Sequence, residues 1–154
     1  MQSILAALAI ALSASAGAGT FQASELSIGD VTSGDTESSV LAQLGPPAQR
    51  VETEEGIELH YAGLIVTVGW LEQTAPGRQR RVLALSGTGH NACTPRGVCP
   101  GMPVSAATRL YGNTATTERE TGSFMEYQAD GLSCWLRISA SSGVIESVAV
   151  ACQP

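Results

Sequence analysis

The chain has 154 residues, 44% of them hydrophobic and 14% charged, with a formal net charge of −6. That balance suits a folded domain and excludes a disordered polyelectrolyte. All eight basic residues are Arg, and no block of them forms a basic stripe, so nucleic acid is excluded as a partner.

Residues 4–16 are almost wholly apolar and small, too short a run to span a bilayer as a helix. Ala14-Ser15-Ala16 and Ala16-Gly17-Ala18 both place small residues at the −3 and −1 positions of a signal-peptidase site. Residues 1–18 therefore read as a signal peptide, although Met1-Gln2-Ser3 lacks the usual basic residue. No Cys follows for lipid attachment. A periplasmic or secreted protein is expected, with no stable membrane insertion after signal removal.

The rest of the chain reads as two copies of one unit, residues 19–88 and 89–154. Gly45, Tyr61, Gly63 and Gly77 recur as Gly112, Tyr127, Gly131 and Gly143, at nearly constant spacing. In the first unit Asp35 is placed to cap a short helix with Val40, Leu41 and Leu44 on one side. Gly45 and then Pro46-Pro47 end it. Ile57, Leu59 and Tyr61 alternate with Glu58 and His60, the period of a strand with one buried face. Leu64, Val66, Val68 and Trp70 form the next inward row, and Val82 to Leu85 a third strand.

The second unit repeats the order. A helix starts near Pro103 and ends at Gly112, with Val104, Ala107, Leu110 and Tyr111 on its apolar side. Met125 and Tyr127, then Leu132, Cys134, Leu136 and Ile138, and then Val144 to Val150 supply its inward rows. A short helix followed by a three- to four-stranded antiparallel meander, twice over, is α+β.

The four Cys allow three pairings. A turn at Ser142-Gly143 would set Cys134 opposite Cys152, and Cys93 and Cys99 would close the loop between them, so these two disulfides are expected. A four-Cys metal site needs closer spacings than these.

The run Gly97, Gly101-Met102, Tyr111-Gly112, Tyr127, Gly131-Leu132 and Gly143 resembles the α+β module of secreted β-lactamase-inhibitor proteins. It also resembles that of the small lipoprotein of the outer-membrane barrel-assembly machinery. The resemblance implies a tandem inhibitor-like protein that presents a concave sheet surface to a protein partner.

Candidate chemistry is sparse. No Gly-x-Ser-x-Gly elbow is present, His90 lies in a Gly-rich connector, and His60 sits beside Glu58. Glu52, Glu54, Glu55 and Glu58 alternate across a strand instead of converging on one ion, and no metal or cofactor is expected. Arg78, Arg80 and Arg81 at a hairpin bend read as solubilising. If Met125, Tyr127, Cys134 and Leu136 point inward, Phe124, Glu126, Trp135 and Arg137 share the opposite face, with Glu58 and His60 on the equivalent face of the first unit. Trp and Arg dominate binding hot spots. The expectation is a non-catalytic binding module for another envelope or secreted protein. A small hydrolase or redox factor built around His60 or the Cys93–Cys99 loop is the alternative.

Overall fold

Both α-helices among the described residues are stopped by a glycine, and each stop is locked by a tyrosine from a strand. In the computed structural model, which describes residues 21–71 and 79–153, α1 spans Glu37–Leu44 and α2 spans Val104–Tyr111. Gly45 and Gly112 follow them with φ of 77° and 91°, a backbone region that favours glycine. Tyr61 donates to the Gly45 carbonyl at 3.0 Å, and Tyr127 to the Gly112 carbonyl at 2.9 Å. The expected signal peptide over 1–18, Gly77 and Arg78 lie outside the described residues.

The cap of α1 is Thr36 and not Asp35. The Thr36 hydroxyl accepts from the Ser39 amide at 3.2 Å, while the Asp35 carboxylate accepts from the Thr32 amide at 2.9 Å. Asp35 thus shapes the turn before the helix.

The fold is α+β. A small hairpin, β1 (Ser27–Ile28) with β2 (Val31–Thr32), precedes α1. After α1 come β3 (Gln49–Glu52), β4 (Ile57–Tyr61), β5 (Leu64–Gly69) and β6 (Arg81–Gly87). After α2 come β7 (Thr116–Arg119), β8 (Gly122–Gln128), β9 (Cys134–Ser139) and β10 (Val148–Cys152). These eight strands form one antiparallel sheet in the order β3-β4-β5-β6-β10-β9-β8-β7. The seam is β6 against β10, with Val150 opposite Leu85 and Val148 opposite Gly87. Residues 19–88 and 89–154 therefore share one sheet.

Alternation decides which face is dry. Leu59, Val66, Leu85, Val150, Leu136 and Tyr127 lie in one transverse row and are buried. Val40 of α1, Ala107 and Tyr111 of α2, Ile28 and Val31 of the hairpin, and Ala92 and Val98 of the connector join them in a single core. Fully burying each Val, Leu or Ile contributes about 1.5–3 kcal/mol, far above the 0–1 kcal/mol of a typical surface ion pair. The core face carries the stability.

Four expectations need correcting. Leu132 precedes β9 and is 41% exposed, so it does not belong to the inward row of Cys134, Leu136 and Ile138. Trp70 lies beyond the end of β5 and is 53% exposed, so it does not extend the inward row. Val144 is likewise exposed and makes an isolated bridge to Pro103, and the last strand begins only at Val148. Arg80 and Arg81 are ties instead of solubilising groups. Arg80 bonds the Glu37 carboxylate at 2.6 Å, as does Arg50, and Arg81 donates to the Gly34 carbonyl at 2.9 Å. Burial pushes the Glu37 carboxyl up, but the bonds from Arg80 and Arg50 outweigh it and hold it below its usual range.

Both disulfides form as expected, Cys93–Cys99 and Cys134–Cys152, the second joining directly opposed residues of β9 and β10. Inside the first loop, Arg96 pairs with Glu25, donates to the Leu110 carbonyl at 3.2 Å and lies 4.7 Å over the Tyr111 ring. One guanidinium thereby ties the N-terminal segment, the disulfide loop and the end of α2.

Tyr61→Phe and Tyr127→Phe each remove one bond to a helix-capping carbonyl. Each should cost about 0.5–1.5 kcal/mol, read as a lower urea midpoint with an unchanged slope.

Candidate functional site

The face opposite the core is defined by two transverse rows of paired residues. The first runs Gln49, His60, Ile65, Ser86, Ala149, Arg137, Glu126 from β3 to β8. The second runs Val51, Glu58, Thr67, Ala84, Ala151, Trp135, Gln128 over the same strands. The centre of the face, on β6 and β10, thus carries only Ala and Ser. Bulk and charge stand on either side of it.

Phe124, Glu126, Trp135 and Arg137 come together on β8 and β9. Glu126 is the pivot. It accepts from Arg119 Nε at 2.9 Å and Arg119 Nη2 at 2.8 Å, and its Oε1 lies 2.9 Å from Arg137 Nε. The Arg137 contact is an ion pair at a buried nitrogen, without a well-formed hydrogen bond. The Arg119 bonds hold the Glu126 carboxyl below its usual range against the opposing effect of burial, and Arg137 adds to the lowering. Two Arg against one Glu leave this end of the face with an excess positive charge. Trp135 and Phe124 are half-buried by their neighbours in the sheet, less open than the alternation alone implies.

Glu58 and His60 lie on the same face, with His60 Nε2 2.8 Å from Glu58 Oε2. From β4 to β9 is four strand spacings, roughly 19 Å, so the two groups are separate ends of one surface. Ser86, in the row of His60, is two strands away, roughly 10 Å, and does not contact the imidazole. Cys93 and Cys99 are joined to each other, and the helices and the N-terminal segment pack against the other face. Phe21 meets Tyr111 there at 5.9 Å, and Tyr111 meets Tyr127 at 5.2 Å. Burial, with Tyr111 alongside, pushes the Tyr127 hydroxyl up to about 12.

A feature missed in the sequence is the concave ground around Trp70. An opening of about 350 Å³ separates its indole from the Thr53–Gly56 turn, and the Arg80 guanidinium stacks 5.5 Å from the ring. The signal available was that Trp70 directly precedes a Pro- and Gly-containing stretch, where an inward strand position is already at its end.

No family model matches the chain, and no curated protein does. Among solved structures, an extracellular protein containing an SCP domain from Bacillus anthracis superposes with a TM-score of 0.53 at 14% identity, over 81% of this chain and 46% of that one. A cysteine-rich secretory protein from Staphylococcus aureus gives 0.50 at 7% identity, over 79% and 44%. A DUF4309 family protein from Bacillus subtilis gives 0.45 at 12% identity, over 77% and 78%. The chain spans less than half the length of the two SCP-related proteins, and at such identity the likeness is one of fold.

The two SCP-related neighbours overturn the expected kinship with β-lactamase-inhibitor proteins and the barrel-assembly lipoprotein. The physical reason lies in the anchors used. Gly45 and Gly112 stop helices and the tyrosines lock those stops, services that any helix-then-meander chain needs. Such punctuation reports local geometry and not descent. Two closed disulfides indicate folding in an oxidising, exported compartment. Among the described residues no helix is long and apolar enough to cross a membrane.

Glu25 is also held below its usual carboxyl range, first by its bond from Arg96. A carboxylate lowered in the folded state adds stability that is complete above its unfolded value and is lost as pH falls through its folded value. With Glu25, Glu37 and Glu126 all lowered from 4.5, Tm should fall as pH drops below about 4.5. Glu37→Gln should start less stable at neutral pH and show a shallower decline in thermal melts across that range.

Proposed function

We propose that this chain is a non-catalytic, exported binding protein that engages another exported protein through the face of its sheet opposite the core. The observation that carries the reading is the grouping of Trp135 and Phe124 with the Arg119–Glu126–Arg137 cluster on that face. Trp135 and Phe124 supply apolar area, and the Arg119–Glu126–Arg137 cluster sets orientation. The separation of His60 from Ser86 and the closure of Cys93 with Cys99 favour this over the hydrolase or redox alternative.

We also infer that the two halves are copies of one helix-plus-meander unit. Support comes from the matching element orders, α1 before β3–β6 and α2 before β7–β10, and from the same Tyr-to-Gly bond in each.

Trp135→Ala tests the binding face. Thermal unfolding should remain cooperative, while affinity for a partner captured from the exported fraction should fall about 30-fold, the scale of a hot-spot truncation. Unchanged affinity removes this face from the reading.

A further inference from the structure

Trp70 stands as a ridge between two hollows. The opening of about 350 Å³ lies between its indole and the Thr53–Gly56 turn. A second hollow, of about 290 Å³, lies between the indole and Glu37, Ser38 and Leu41 of α1. The indole is 53% exposed, and Trp is among the side chains that contribute most when a partner covers them. We infer that this ridge is a second binding site, for an extended peptide that carries an Arg or Lys side chain close to an apolar one. It is independent of the role proposed for the face opposite the core, because the ridge lies on the α1 side of the sheet.

The charge of the ligand follows from the first hollow. Glu52, Ile57 and Val68 form one transverse row, in which Ile57 and Val68 belong to the core and the border position is a carboxylate. Glu54 and Glu55 follow in the turn, and all three glutamates are exposed, with no bonding partner among the described residues. The turn that presents them is fixed. The Thr53 amide donates to the Gly56 carbonyl at 2.8 Å, and the Thr53 hydroxyl donates to the same oxygen at 3.1 Å. Gly56 lies so close to β5 that a Cβ there would collide with the Val68 carbonyl. Among the described residues lining the opening the one cation is Arg80, and Glu37 already matches it at 2.6 Å. Three carboxylates and an aromatic ring thus border the hollow without a counter-charge of their own. A cation is drawn to the carboxylates by Coulomb attraction and to the indole by its π face. Arg80, 5.5 Å from the ring centroid, shows that this indole accepts a guanidinium.

The second hollow sets the rest of the ligand. Its carboxylate, Glu37, is taken up by Arg50 and Arg80, so Leu41 and Trp70 offer a lining suited to an aliphatic side chain. A lone cation would fill one hollow and leave the other. An extended chain points residues i and i+2 to one side, roughly 7 Å apart, and so reaches both sides of one indole.

Isothermal titration calorimetry of the mature chain at low salt tests this with acetyl-Leu-Ala-Arg-amide, its citrulline counterpart, choline and maltotriose. The arginine peptide should bind with a dissociation constant below about 1 mM. Citrulline keeps the shape and loses the charge, and should weaken binding about tenfold, as should Trp70→Ala. The combined Glu52→Gln, Glu54→Gln and Glu55→Gln variant should lose a similar factor with an unchanged thermal melt, because these side chains are exposed and unpaired. Where Trp70→Ala lowers the melt, the Gln variant decides. No binding of the arginine peptide, equal binding of the citrulline peptide, or full affinity in the Gln variant overturns the inference. Choline binding as tightly as the peptide removes the peptide as occupant. Binding of maltotriose in place of the peptide makes the ridge a saccharide platform and overturns the cation.

Discussion

One-sided burial governs this molecule. Because strand side chains alternate, the dry row through Leu59, Val66, Leu85, Val150, Leu136 and Tyr127 forces a second set of residues onto the reverse of the sheet. Both helices, the β1–β2 hairpin and the disulfide-bearing connector are drawn to the apolar side, since covering it is where the favourable free energy lies. They leave the reverse side to its own polar and aromatic groups. The candidate interface is therefore a consequence of how the core is satisfied.

On that reverse side, rigidity is unequal. Glu126 is gripped by two guanidinium groups and its side chain keeps only 10% of its accessibility, so the Arg side chains are already ordered. Ordering long side chains in advance lowers the entropy lost on association. The Glu58–His60 end has one contact between neighbours on a single strand and remains about one-third accessible. The β8–β9 end of the face is therefore the more ordered of the two.

Much of this was legible from residue order, and the failures have physical causes. Hairpin register placed Cys134 opposite Cys152, and alternation separated Met125 and Tyr127 from Phe124 and Glu126, because both depend on counting residues along extended backbone. Strands β3 and β7 escaped notice because edge strands bury little. Gln49-Arg50-Val51-Glu52 and Thr116-Thr117-Glu118-Arg119 have no apolar alternation to reveal them. Thr36 and Asp35 are both sound capping residues, and only the backbone path decides between them. Arg80 reads as an ordinary surface charge and Arg96 carries no sequence signal at all, since their partners Glu37 and Glu25 lie 43 and 71 residues away.

The seam has a further consequence for how the chain is made. β10, the last strand in sequence among those described, occupies the middle of the sheet and not its border. During vectorial delivery through a membrane, β3 to β6 emerge first, with the inner border of β6 unpaired until some sixty residues more have followed. For that interval the nascent half offers an open hydrogen-bonding ladder to any extended chain nearby, a known route to misassembly. Completion must wait for Val148–Cys152, which close the ladder and receive the Cys134 bridge together.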